Sequence, residues 1–103
     1  MLTVIAEIIC HSAQDFKTVL DSFNNIREQV IQEPGCHGYD VHIDHPTVES
    51  AFQTKVPFSI MMYEKWESMQ HLETHMHSIN MQQHAQATKG AVAQVQIRIL
   101  EAQ

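Results

Sequence analysis

The spacing of the apolar residues changes along this 103-residue chain in one order: extended, helical, extended, extended, helical, extended. That order excludes most folds. Leu2 to His11 is almost wholly apolar or β-branched, broken only by Glu7, and reads as a central strand covered on both faces. Ser12, with Asp15 three residues on, has the form of a capping box and starts a helix. Phe16, Val19, Leu20, Phe23, Ile26, Val30 and Ile31 then fall on one helical face, and Pro34-Gly35 stops it. From Cys36 to Asp44, Tyr39, Val41 and Ile43 alternate with Gly38, Asp40 and His42, the period of a strand.

The segment from Thr47 to Pro57 has no clear period; Val48, Ala51 and Phe52 suggest a folded excursion. A third strand is expected from Phe58 to Trp66, with Phe58, Ile60, Met62, Glu64 and Trp66 on one face. Ser68 is a good N-cap for a second helical stretch carrying Leu72, His75, Met76 and Ile79, kinked near Ser78 and ending before Gly90. Ala91 to Leu100 alternates again and closes the pattern as a fourth strand. Phe16, Phe23, Phe52 and Phe58 are expected in the core.

Strand, helix, strand, strand, helix, strand is the split βαβ arrangement of ferredoxin-like α+β folds. Its antiparallel sheet carries both helices on one face. The strands nevertheless hold apolar residues on both faces, so the second face calls for a cover. Two such sheets packed together, a homodimer forming an α+β barrel, would supply it. A chain of this length is expected to form a single domain, residues 1–103.

Charge narrows the partners. Six Lys and Arg against twelve Asp and Glu give a formal charge of −6 with no basic cluster, which argues against nucleic acid and anionic membrane surfaces. The N-terminus has no basic region before its apolar run, so it reads as a strand rather than a signal peptide. Cys10 and Cys36 form no CxxC and read as reduced thiols of a cytoplasmic protein. Three glycines, at 35, 38 and 90, cannot build a nucleotide-binding loop, so a Rossmann-type flavin or nicotinamide site is not expected.

Eight histidines are the unusual feature. His71 and His75 stand at i and i+4, a spacing that lets two imidazoles share a metal. No Glu follows His71 and no third ligand is evident, so no metal is expected. Trp66, Glu64 and His75 could instead form a slot with an aromatic wall, a carboxylate and an imidazole, suited to a flat aromatic with an ionisable hydroxyl. Equally, Trp66 and Met62 could be core and Glu64 could pair at a dimer interface. Tyr39, Met61, Met62 and Tyr63 could line a pocket or fill the space between sheets.

Tyr63-Glu64-Lys65-Trp66-Glu67-Ser68, followed by His71-Leu72-Glu73-Thr74-His75, resembles the antibiotic biosynthesis monooxygenase superfamily. More narrowly, Met1 to Ile8, Glu33 to Tyr39, the Phe52-Gln53 excursion, Lys89-Gly90 and Ile97 to Leu100 are similar to the enterobacterial quinol (menadiol) monooxygenases. The resemblance implies a ferredoxin-like dimer with back-to-back sheets and oxygen chemistry on a quinol without flavin, haem or metal. It makes His75 and Glu64 the candidate catalytic residues, His75 as base and Glu64 as orienting or alternative base. Trp66, Met62, Tyr39 and Leu72 become the candidate substrate-binding set. Met62 stands where better-studied members have an asparagine, so their polar handle is missing. Glu7 and His75 stand where the haem-degrading branch places its asparagine and tryptophan. A protein that binds quinones or small aromatics without turnover, and a same-fold enzyme acting on a small metabolite, are the competing readings.

Overall fold

A computed structural model describes residues 1–103. The elements are β1 (Leu2–Cys10), α1 (Ala13–Ile31), β2 (Cys36–Ile43), β3 (Ser59–Trp66), α2 (Met69–Met76), α3 (Ile79–Ala87) and β4 (Val92–Glu101). The strands form one antiparallel sheet in the order β2-β3-β1-β4. This is the ferredoxin-like α+β arrangement that the order of periods implies.

Serine starts each helix. Ser12, Ser68 and Ser78 each sit in extended backbone, and each hydroxyl accepts the amide N–H three residues on, at Asp15, His71 and Met81. Each bond satisfies one of the donors that a helix start leaves without a partner. The kink expected near Ser78 is a full break: the chain leaves α2 at His77, and Ser78 caps α3 afresh.

The register sets the two sheet faces. Val4, Ala6 and Ile8 pair with Glu64, Met62 and Ile60, and Glu64 and Met62 pair with Tyr39 and Val41. Paired residues point the same way, so these side chains share the face that carries the helices. Val19, Phe23, Ile26 and Val30 of α1 pack down on them to make the core. Thr3, Ile5, Glu7 and Ile9 point to the other face. They are only half-buried, so β1 is central but covered on one side within this chain. There the Glu7 carboxylate accepts from the Ser59 hydroxyl at 2.9 Å, which accommodates the charge that breaks the first apolar run.

The helices lie over β2, β3 and β1 rather than β4. Val95, Ile97 and Ile99 sit beside Ile8, Ala6 and Val4 on the helix-bearing face, yet each stays about half exposed. The sheet therefore has an apolar margin next to its core.

Two aromatic expectations need correction. Phe52 is 94 % exposed and Phe58 39 % exposed, so neither is core. The first sits in the excursion between β2 and β3, whose ends are drawn together by the Val56 N–H donating to the Asp44 carboxylate at 2.8 Å. The second takes a positive φ of 59° before β3 begins, where its carbonyl accepts the Cys10 N–H at 2.9 Å. Backbone geometry fixes that residue, not burial of its ring.

Candidate active site

β3 delivers Met62, Glu64 and Trp66 to the helix-bearing face, and Tyr39 of β2 lies beside Glu64. α2 then brings His75 over them. Its imidazole is buried, 4.5 Å from the Trp66 ring and 5.5 Å from the Tyr39 ring between centroids. The Trp66 indole N–H donates to a Glu64 carboxylate oxygen at 2.9 Å. Burial pushes the Glu64 carboxyl above its ordinary range, against the opposing pull of that indole bond and of His75. Burial also raises the Tyr39 hydroxyl, so it stays protonated; it donates to the Met81 sulfur at 3.9 Å.

A mostly apolar cavity of about 270 Å³ adjoins this group. Its floor is Ala6 and Ile8 of β1 with Met62 and Glu64 of β3, and Tyr39 and His75 close one side. Met81, His84 and Thr88 come down from the region of α3, and Phe23 from α1. Met76, Val95 and Ile97, all about half exposed, stand at its rim. The volume falls just below the range for ligand pockets, about 300–1,000 Å³, and suits one or two fused rings.

Of the residues singled out in the sequence, His75, Glu64, Met62 and Tyr39 therefore line one cavity. Trp66 and Leu72 do not. Trp66 is 0 % exposed and lies against the His75 ring; it touches the site through His75 and Glu64 rather than as a wall. Leu72 is buried in the core beneath α2. Glu64 faces the helices, not the open sheet face where a dimer contact was considered.

The histidines of α2 part company. His75 Nδ1 lies 2.9 Å from Glu33 Oε1, whereas His71 Nδ1 lies 2.7 Å from the Ser68 hydroxyl. The His71 ring also fills the space over Gly35, whose φ is +77° and where a Cβ would collide with the imidazole. The i, i+4 spacing thus serves two different local contacts.

Glu33 is the residue the sequence did not reveal. Its second oxygen accepts from the Asn80 amide at 2.8 Å, so the carboxylate ties α2 to α3. A carboxylate only accepts, so Nδ1 of His75 carries a proton, and in the neutral imidazole Nε2 keeps its lone pair. No protein group bonds that Nε2. The arrangement can take a proton from a hydroxyl in the cavity and stabilise the imidazolium that results.

Comparison with known proteins defines the class. The family model for antibiotic biosynthesis monooxygenase matches residues 1–88. The chain is 45 % identical over 102 residues to the Escherichia coli K12 protein described as "Probable quinol monooxygenase YgiN", covering 98 % of this chain and 97 % of that one. The Shigella flexneri protein of the same description matches equally. Among solved structures, PA3566 from Pseudomonas aeruginosa superposes with a TM-score of 0.80 at 20 % identity, over 99 % of this chain and 93 % of that one. An antibiotic biosynthesis monooxygenase superposes at 0.79 and 21 %, over 99 % and 98 %. The chain belongs to the antibiotic biosynthesis monooxygenase family.

Proposed function

We propose that this chain is a cofactor-independent quinol monooxygenase that hydroxylates a menadiol-like hydroquinone with dioxygen, using the Tyr39, Met62, Glu64 and His75 cavity. The observation that carries the reading is the His75 imidazole, held at Nδ1 by Glu33 and with Nε2 unbonded, on the wall of a small apolar cavity. The 45 % identity to a protein described as a quinol monooxygenase supports the choice of substrate.

The chemistry asks little of the protein beyond this. His75 Nε2 takes one phenolic proton. The anion passes one electron to dioxygen, giving a semiquinone and superoxide, which combine at a ring carbon. The peroxide takes back a proton and loses water, leaving a hydroxylated quinone. One oxygen atom enters the ring, the other leaves as water, and every electron comes from the quinol. No external reductant enters that balance. Apolar walls keep water from the radical pair, and the Glu64 carboxylate on the same cavity wall is held by the Trp66 indole N–H.

The functional unit in this reading is a homodimer. Ile5, Ile9, Met61, Tyr63 and Leu100 on the open sheet face, none of them buried within one chain, support it. Sedimentation at micromolar concentration should give twice the 11.8 kDa chain mass; a stable monomer would remove the dimer from the account. No helix is long and apolar enough to cross a membrane.

The test is oxygen uptake with menadiol, using protein stripped of metal. Uptake above the spontaneous rate, lost in His75→Ala, is expected. Menadione binding without any acceleration would make the protein a quinone carrier instead.

A further inference from the structure

His84 has no part in the scheme above. It is buried on α3, lines the same cavity as His75, and stacks on Phe23 with ring centroids 4.0 Å apart. Its Nδ1 lies 2.8 Å from the Ser22 hydroxyl of α1. That hydroxyl is itself buried and bonds nothing else. A serine hydroxyl has one proton to give, and the one protein acceptor within reach is His84 Nδ1. The neutral imidazole then carries its own proton on Nε2, and no protein group receives it. Burial supports the neutral form, lowering the imidazole to about 4 from an ordinary 6.5.

The two cavity imidazoles thus have opposite senses. Glu33 makes His75 Nε2 an acceptor, and Ser22 makes His84 Nε2–H a donor. They arrive from different helices and share no partner. The other hydroxyls on the lining are engaged, Tyr39 with the Met81 sulfur and Thr88 with the His84 carbonyl. An apolar cavity with one accepting and one donating imidazole suits a flat ring bearing two oxygens, one that loses a proton and one that holds developing negative charge.

We infer that His84 is a binding and specificity residue of this cavity, donating from Nε2–H to the ligand oxygen that His75 does not hold, so that the site selects rings with two oxygens over rings with one. The inference rests on the quinol reading and assigns that site its second polar contact. When His75 removes a proton from one hydroxyl, charge spreads through the ring to the opposite oxygen. A donor there stabilises the anion more than the neutral quinol, which is the condition for lowering a barrier.

The test is binding under argon, read by fluorescence of Trp66, the single tryptophan, beside His75. Menadiol carries two ring oxygens and 1-naphthol one. The wild type should bind menadiol roughly tenfold more tightly, the worth of one additional neutral hydrogen bond. His84→Leu should bring the two probes level, and His84→Gln, which keeps an N–H donor, should restore part of the preference. Preference unchanged in a folded His84→Leu protein overturns the inference. Should that variant not fold, Ser22→Ala keeps the ring and removes its proton donor. A smaller preference is then expected, and an unchanged one overturns the inference. Nitrogen-15 spectra of the histidines should show His84 protonated on Nε2 at neutral pH; protonation on Nδ1 also overturns it. Equal binding of both probes by the wild type defeats the role of His84 and leaves the quinol reading standing. Binding of neither defeats both.

Discussion

The imidazole of His75 and the carboxylate of Glu33 meet at 2.9 Å across 42 residues of chain. The contact joins the loop after α1 to the end of α2, and Asn80 locks it from α3. Glu33 acts on the substrate only through the imidazole, as a positioning residue. Glu33→Gln keeps an acceptor for Nδ1–H but removes the charge that stabilises the imidazolium. Turnover should fall roughly tenfold to a hundredfold with KM little changed. A rise in KM at constant kcat would mean that Glu33 shapes binding and not proton transfer.

Loss of His75 itself should be harsher. His75→Ala should lower kcat by roughly 10²- to 10⁴-fold, the range for removing a general base. Glu64→Gln should retain more activity, because the Trp66 N–H can still donate to its amide oxygen. Steady-state oxygen uptake ranks the two; an inactive Glu64→Gln beside an active His75→Ala would exchange their roles.

Acid should destabilise the protein through His84. Its folded value of about 4 lies below the ordinary 6.5. As pH falls from 6.5 towards 4 the unfolded chain takes up a proton that the native state refuses, and stability declines. The full effect is on the order of 3 kcal/mol, complete below pH 4. Glu64 works in the opposite sense. Its raised carboxyl takes up a proton in the native state before the unfolded chain does as pH falls, so its contribution grows in that direction. Urea unfolding at stepped pH should show a shallower acid decline in His84→Leu than in wild type. Parallel curves would mean that His84 is protonated in both states alike.

Gly35 and Gly90 both have positive φ, +77° and +80°, but their surroundings differ. At Gly35 a Cβ would strike the His71 ring; at Gly90 nothing lies within 4 Å. Gly90→Ala should cost about 1 kcal/mol of backbone strain. Gly35→Ala adds displacement of His71 and should cost about 2–4 kcal/mol, lowering Tm by roughly 10 °C or more. Equal Tm shifts in a thermal scan would show that the His71 packing yields freely.

The elements were legible because apolar residues recur at each one's own period, even along β4, which buries no face within one chain, and because serine marks each helix start. Alternation along β3 put Met62 and Glu64 on one face, but it left pocket and packing open; the family resemblance is what marked Tyr39, Met62, Glu64 and His75 as one set. Glu33 was hidden because Glu33-Pro34-Gly35 has the form of a helix stop, and its partner is remote in sequence. His84 was hidden among eight histidines, since nothing local ties it to Ser22. Phe52 misled because an aromatic ring in a segment without period carries no information about which way it faces; Phe58 misled because it stands one residue before β3, at a positive φ that takes it out of the strand's alternation. The i, i+4 spacing of His71 and His75 was uninformative for a related reason: it puts two rings on one helix face, while the partners at Ser68 and Glu33 decide where each Nδ1 points.

The central claim is that the His75 cavity inserts oxygen into a quinol. Isotope labelling tests it most directly. Metal-stripped protein is given menadiol under ¹⁸O₂, and the organic product is weighed by mass spectrometry. One ¹⁸O atom should appear in a hydroxylated naphthoquinone, and no such product should form with His75→Ala. Unlabelled menadione with one hydrogen peroxide per dioxygen consumed, at the same rate in both proteins, would contradict the claim.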